Sequence, residues 1–185
     1  MADLLAENHL VGWVQGPLEF GPRALGHRSI LAHPGHSSTR DRLNMIKRRA
    51  VYRPFAPAVL AEHCAEWFET AGDPFMNRVA RVRQDRAGHI AVVTHHDGTA
   101  RVQTVATDHE GLHELLEQFH HRTGLPLLLN TSLNRKGAPI LRTAEQAVHA
   151  AGDLGLDAVA VGDTLLLADH VPDAHDPART GLWTR

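Results

Sequence analysis

Cysteine is almost missing from this chain: Cys64 is the single one in 185 residues. One thiol excludes an internal disulfide framework and a cysteine-based zinc site. Lysine is nearly as scarce. Lys47 and Lys136 are the only lysines among 19 basic residues, and the rest are arginine. Aromatic residues make up 5%, which supplies little for base stacking, so nucleic acid is not an expected partner. No run of about 18 apolar residues occurs, so no bilayer span is encoded. The opening MADLLAENHLVGWVQG has acids near its front and no long apolar stretch. A secretory leader is therefore not expected, and a cytoplasmic setting is. The net charge of −2 gives no bulk attraction to nucleic acid or membrane.

What is present suits one globular domain. Hydrophobic residues are 43% and charged residues 22%, enough for a core at this length. A single domain is expected over residues 1–170, followed by a polar tail, 171–185. Residues 10–14 (LVGWV) read as a buried strand ended by Gly16-Pro17, and a glycine-rich loop, GPLEFGPRALG, follows. RSILAH (28–33) is a second apolar run. Residues 38–49 read as a helix with Ser37 or Ser38 as N-cap, and Pro54 and Pro57 enforce extended backbone after it. Residues 61–70 read as helical. RVARVR, HIAVVTH and ARVQTV alternate as strands, with QDRAG as a hairpin turn between the first two. Leu112, Leu115, Leu116 and Phe119 define one face of a helix over 108–122, with Thr107 and Glu110 at capping-box spacing and Gly124 as its stop. PLLLN (126–130) is a buried strand. Thr143 and Gln146 form a second capping box for a helix over 144–152. DAVAVGDTLLLAD (157–169) reads as two strands about a Gly-Asp turn. Strands and helices mix without a strict βαβ period, so a mixed α/β sheet is expected.

Charge is uneven. Residues 23–53 hold eight cations, Arg23, Arg28, Arg40, Arg42, Lys47, Arg48, Arg49 and Arg53, against one acid, Asp41. Such a concentration marks an anion site or an acidic partner. Arg40, Arg42, Arg48 and Arg49 read as a solvated helix face. Arg23, Arg28 and Arg53 lie among glycine, proline and apolar residues, where an unpaired charge is costly. NTSLNRKG (130–137) places Asn130, Thr131, Ser132 and Asn134 at a strand end, where amides and hydroxyls can orient phosphate or ribose oxygens. No P-loop or dinucleotide fingerprint is present. The 15 histidines suggest metal, but His95-His96 and His120-His121 are adjacent pairs that point apart. His109, His113 and His120 or His121 lie near helical spacing, yet no metal site is expected.

The runs GWVQGPLEFGPRALGHRSILAHP, RPFAPAVL, THHDGTARVQTV and TGLPLLLNTSLNRKGAPI, in that order, resemble the carboxy-terminal domain of the O-carbamoyltransferase family. That family includes nodulation and antibiotic carbamoyltransferases. The resemblance covers residues 4–169. It implies an α/β fold, a YrdC-like open twisted mixed sheet with flanking helices. It also implies an activity: carbamoyl phosphate and MgATP give carbamoyl-adenylate, with phosphate and pyrophosphate released. ATP and Mg2+ are the implied cofactors. The implied roles place Arg23 and Arg28 on carbamoyl phosphate or the ATP phosphates. Lys47 and Arg53 steady the α-phosphate and the carbamate, and Arg101 is a further phosphate ligand. Asn130, Ser132 and Asn134 bind nucleotide phosphates or ribose, and His95 contacts substrate.

The chain departs from the family pattern at Ala50 and Ala138, where carboxylates usually stand, and at Leu133, which replaces phenylalanine. The family's amino-terminal, Kae1-like domain, which holds a histidine-bound metal and passes the carbamoyl group to an alcohol, has no counterpart here. The expected partner is then a separate Kae1-like transferase chain, and a homo-oligomer is compatible with an uncovered docking face. Two other readings stay open: an inactive or truncated ligand-binding domain, and a nucleotide- or RNA-binding module.

Overall fold

The computed structural model describes residues 1–48, 50, 52–109 and 111–168. Nine strands appear among them: β1 (Val11–Val14), β2 (Arg28–Ala32), β3 (Ala56–Leu60), β4 (Val79–Arg81), β5 (Thr99–Arg101), β6 (Gln103–Val105), β7 (Leu127–Ser132), β8 (Ala158–Val161) and β9 (Thr164–Leu167). The helices are α1 (Ala2–Ala6), α2 (Ser37–Lys47), α3 (Cys64–Trp67), α4 (Leu112–Thr123) and α5 (Ala144–Leu154).

Seven strands form one sheet in the order β6-β3-β7-β2-β1-β8-β9, and β4 and β5 form a separate ribbon. The sheet is mixed. β1 runs parallel to β8, and β3 parallel to β6, while β1–β2, β2–β7, β3–β7 and β8–β9 are antiparallel. The period of two in each strand divides the core. Leu10, Val14, Ile30, Leu127 and Leu129 pack with Leu43 of α2, Trp67 of α3 and Val148 of α5 on one face. Val11, Trp13, Leu31 and Leu128 pack with Leu5 of α1 and Leu112, Leu115, Leu116 and Phe119 of α4 on the other. The central strands β1, β2 and β3 are therefore buried on both faces, while the edge strand β9 is largely exposed. No helix among the described residues is long and apolar enough to cross a membrane.

Several expectations are met closely. The Thr143–Gln146 capping box is formed in both directions, and Gly124 ends α4 in the left-handed conformation. Others are corrected. HIAVVTH is not a strand: Ala87–Ile90 is a 3-10 turn. Val93 and Thr94 then donate back to the Ile90 carbonyl instead of joining a ladder. Ile90, Val92 and Val93 are buried all the same, so burial without strand pairing produced the apolar signal. The hairpin partner of β4 is β5, with Val79 opposite Arg101, so QDRAG does not join two paired strands. α4 begins at Leu112 with Gly111 as N-cap instead of Thr107, and Glu110 lies outside the described residues. The N-cap of α2 is His36, one residue before the expected serines. Arg49 and the tail 171–185 also lie outside the described residues.

Pro57 sits in β3 at no cost to the sheet. On one side the β6 pairing starts only at Ala58, so the missing N–H of Pro57 faces no strand there. The sheet thus opens at the start of β3 and the end of β7, and this opening is where the cations gather.

Candidate oxyanion site

The loop before β2 is shaped by one carboxylate. Glu19 Oε1 accepts the backbone N–H groups of Leu25, His27 and Arg28, each at 2.9 Å. Three amides on one oxygen fold residues 19–28 into a compact turn. Gly26 closes it with φ of +100°; a Cβ there would lie 2.4 Å from Leu112 Cδ2, so only glycine fits without displacement. The turn carries Arg23 to the open end of the sheet.

There Arg23, Arg53, Arg101, Asn130, Thr131 and Ser132 line a cavity of about 250 Å³ walled by Phe55 and Met76. A second cavity, of about 380 Å³, shares Arg53, Thr131 and Ser132 and adds Lys47, Asn134, Arg135 and Lys136. No carboxylate among the described residues lines either one. Burial, and then the charges of Arg23 and Arg53, lower the Arg101 pKa. Arg101 Nε is buried with no hydrogen-bond partner. Three guanidinium groups facing one space, with a buried donor unspent, form a site prepared for oxyanions.

Lys47 fixes the far wall. It is 7% exposed, and its Nζ donates to Ser132 O (2.6 Å), Asn134 Oδ1 (2.6 Å), Asn134 O (3.1 Å) and Ser132 Oγ (3.3 Å). Ser132 Oγ donates to Asn134 Oδ1 at 2.7 Å, and Asn134 Nδ2 donates to Ala138 O at 2.7 Å. An Arg135–Asp153 ion pair ties the same loop to α5. The C-terminal end of α2 is thereby clamped to the loop after β7.

The structure thus brings Arg23, Arg53, Arg101, Asn130 and Ser132 to one cavity, and Lys47 and Asn134 to the adjoining one. It does not bring Arg28 there. Arg28 is 8% exposed, and its guanidinium donates to the carbonyls of Gln15, Gly16, His27 and Arg142. Its place is inside the fold, bracing the turn that presents Arg23.

His95 lines neither cavity. Thr99 Oγ1 donates to Asp97 Oδ1 at 2.6 Å and sits 3.0 Å from His95 Nδ1. That arrangement assigns the proton to Nδ1 and leaves Nε2 as a lone pair, which is buried without a partner. Burial lowers the His95 pKa, Asp97 opposes the shift, and Arg101 adds to it. Arg42, expected on a solvated face, instead pairs with Asp157 at 2.9 Å.

Two contributors are missing from the expected site residues: Gln103, within the ARVQTV run, and Glu19, in the glycine-rich loop. A lone acid in a loop of glycines and prolines is the signal that could have marked Glu19, since such loops leave many N–H groups to satisfy.

Away from the cavity, His113 meets carboxylates and not the other histidines. Its Nε2 is 3.0 Å from Glu62 and its Nδ1 is 3.7 Å from Glu117. The three side chains offer ligand atoms within 4.8 Å of one another, and both acids are about half exposed.

The family model described as Carbamoyltransferase C-terminus matches residues 2–167. The chain belongs to that family. This carbamoyltransferase C-terminal domain is 45% identical over 171 residues to nodulation protein NolNO of Sinorhizobium fredii, covering 89% of this chain and 25% of that protein. It is 46% identical over 121 residues to the 3'-hydroxymethylcephem-O-carbamoyltransferase of Streptomyces clavuligerus, covering 64% of this chain and 23% of that one. The domain therefore spans about a quarter of the length of these relatives. Its backbone superposes on full-length HypF in a phosphate- and nucleotide-bound form with a TM-score of 0.61 at 18% identity, over 88% of this chain and 24% of that chain. The fold is the YrdC-like α/β fold.

Proposed function

We propose that this carbamoyltransferase C-terminal domain activates carbamoyl phosphate with MgATP. Water cleaves the carbamoyl phosphate to carbamate and phosphate. A carbamate oxygen then attacks the α-phosphorus of ATP. The α–β bridging P–O bond breaks, pyrophosphate leaves, and carbamoyl-adenylate forms. Attaching AMP gives carbamate a good leaving group, so an acceptor hydroxyl can take the carbamoyl group.

The observation that carries this reading is the convergence of Arg23, Arg53 and Arg101 on a cavity lined by no carboxylate. Both substrates are polyanions, and phosphoryl transfer is catalysed mainly by positioning and by charge stabilisation at phosphorus. The guanidinium forks suit phosphate oxygens two at a time. The adjoining cavity, with Lys136 and Arg135 at its rim, has room for the remaining phosphates. The described lining offers no acid to Mg2+, so the ion fits as part of the MgATP substrate, held by phosphate oxygens. The names of the two matched proteins that mention carbamoyl transfer and bound phosphate and nucleotide agree with this chemistry.

Transfer to an acceptor alcohol is, in this proposal, the work of a Kae1-like partner.

The test is to incubate the chain with carbamoyl phosphate and MgATP and follow phosphate and pyrophosphate together. Release of both in equal amounts, abolished by Arg101→Ala, is expected. No pyrophosphate release while calorimetry still shows ATP bound would replace this reading with that of a non-catalytic ligand-binding domain.

A further inference from the structure

The cavity that gathers the arginines contains one fixed acceptor of a kind that a phosphate site does not need. Asn130 is 2% exposed and lines that cavity. Its Nδ2 donates to Gln103 Oε1 at 2.7 Å and to Ala24 O at 3.1 Å. Gln103 is itself 1% exposed, and its Nε2 donates to Leu25 O at 2.7 Å. This sequence of donors fixes both amides. Gln103 must offer Oε1 to Asn130 because its Nε2 is spent on a carbonyl, and Asn130 must then turn Nδ2 toward Gln103. What remains is Asn130 Oδ1, buried with no hydrogen-bond partner.

An amide oxygen held in this way repels a phosphate oxygen, so of the two roles expected of Asn130, on nucleotide phosphate or on ribose, it is unsuited to the first. It suits a donor. Leaving such an acceptor unsatisfied in a desolvated site is costly, and the cost is removed only by a ligand that brings an N–H or O–H together with its anionic oxygens. Carbamoyl phosphate has that pairing: a phosphate at one end and an amide NH2 at the other. Acetyl phosphate has the same shape with a methyl in place of the NH2.

We propose that Asn130 Oδ1 reads the carbamoyl NH2 and that Gln103 is the positioning residue that holds it in register, so that the cavity selects carbamoyl phosphate over other acyl phosphates. The inference rests on the reading of this cavity as the carbamoyl phosphate site. Discrimination of this kind is strong because the wrong ligand leaves a buried polar atom unpaired.

Calorimetry of the full chain with carbamoyl phosphate, acetyl phosphate and inorganic phosphate tests it. The expected result is carbamoyl phosphate binding about tenfold more tightly than acetyl phosphate, the value of one hydrogen bond in a desolvated pocket. In Asn130→Ala that preference should vanish through weaker carbamoyl phosphate binding, with inorganic phosphate and ATP unchanged. Gln103→Leu, which keeps Asn130 but frees it to rotate, should lose part of the preference and serves if the first variant does not fold. Equal binding of the two acyl phosphates by the wild-type chain overturns the assignment of Asn130 while leaving the cavity's function intact. Binding of neither overturns the reading of the cavity as well. A loss confined to ATP in Asn130→Ala also overturns it, because the acceptor would then face a ribose hydroxyl.

Discussion

Lys47 and Arg101 are both cations near the same ligand space, yet their surroundings assign them opposite work. Lys47 has four oxygens on its ammonium, so it organises the loop that presents Ser132. Lys47→Met should cost about 2–3 kcal/mol of folding stability, since charged hydrogen bonds are lost and buried carbonyls left unmet; urea denaturation measures it. Arg101 keeps a buried donor unspent. Arg101→Ala should leave the fold intact and weaken phosphate or pyrophosphate binding roughly 10- to 100-fold, the range for a charge-assisted contact, as read by calorimetry. Arg28 looked like a third such cation in the sequence because it stands among glycines and apolar residues. Its four carbonyl partners, up to 114 residues away, are what a local reading could not see. Ser132→Ala should suppress pyrophosphate release, because it removes the hydroxyl that links Asn134 and Lys47 at the cavity wall.

Among the elements, those legible in the sequence carry their own local physics. β1, β2 and β7 are short apolar runs bounded by turn residues. α5 is announced by its capping box, and Thr143→Ala should lower stability by about 1 kcal/mol, measurable as a drop in Tm with unchanged ligand binding. The illegible elements depend on distant partners. HIAVVTH has the composition of a strand, but the strand that pairs with β4 is β5, and the segment instead turns back on the Ile90 carbonyl with its apolar residues buried. The start of α4 is set by Gly111 at φ +75°, packed near Trp13, and not by the hydroxyl and acid spacing before it. The candidate site was legible as a list of residue types. Its geometry was not, because each cavity wall comes from a different element: the turn before β2, the lead into β3, β5, and the end of β7. The orientation of Asn130 in particular is decided by Gln103, 27 residues away.

At the scale of the whole molecule, stability should depend on pH, and His33 and Asp157 are two of the groups that carry the dependence, each with different partners. Burial, reinforced by His36, pushes the His33 pKa down to about 4. A histidine depressed in this way favours the folded state fully above its unfolded pKa. That contribution is lost as pH falls from about 6.5 toward about 4. Asp157 acts lower on the scale. Burial alone would raise its pKa, but Arg42 and the Leu10 N–H hold it below the usual value. Its contribution persists above the ordinary carboxylate range and disappears as pH falls through the depressed value. Tm measured against pH should therefore decline in two stages, and His33→Gln should make the first shallower while leaving the second.

The three facing guanidinium groups have a last consequence, which concerns the molecule before any ligand arrives. Like charges held close together oppose the compact state, so the cluster carries a built-in tension at the open end of the sheet. Any oxyanion that enters relieves it, and binding and folding become one linked equilibrium, gaining about 2.7 kcal/mol when ligand stands at 100 times its Kd. Arg101→Met should then raise the Tm of the empty chain while abolishing the rise that phosphate gives the wild type. The cluster proposed to hold the substrate would, on that account, also work against the fold.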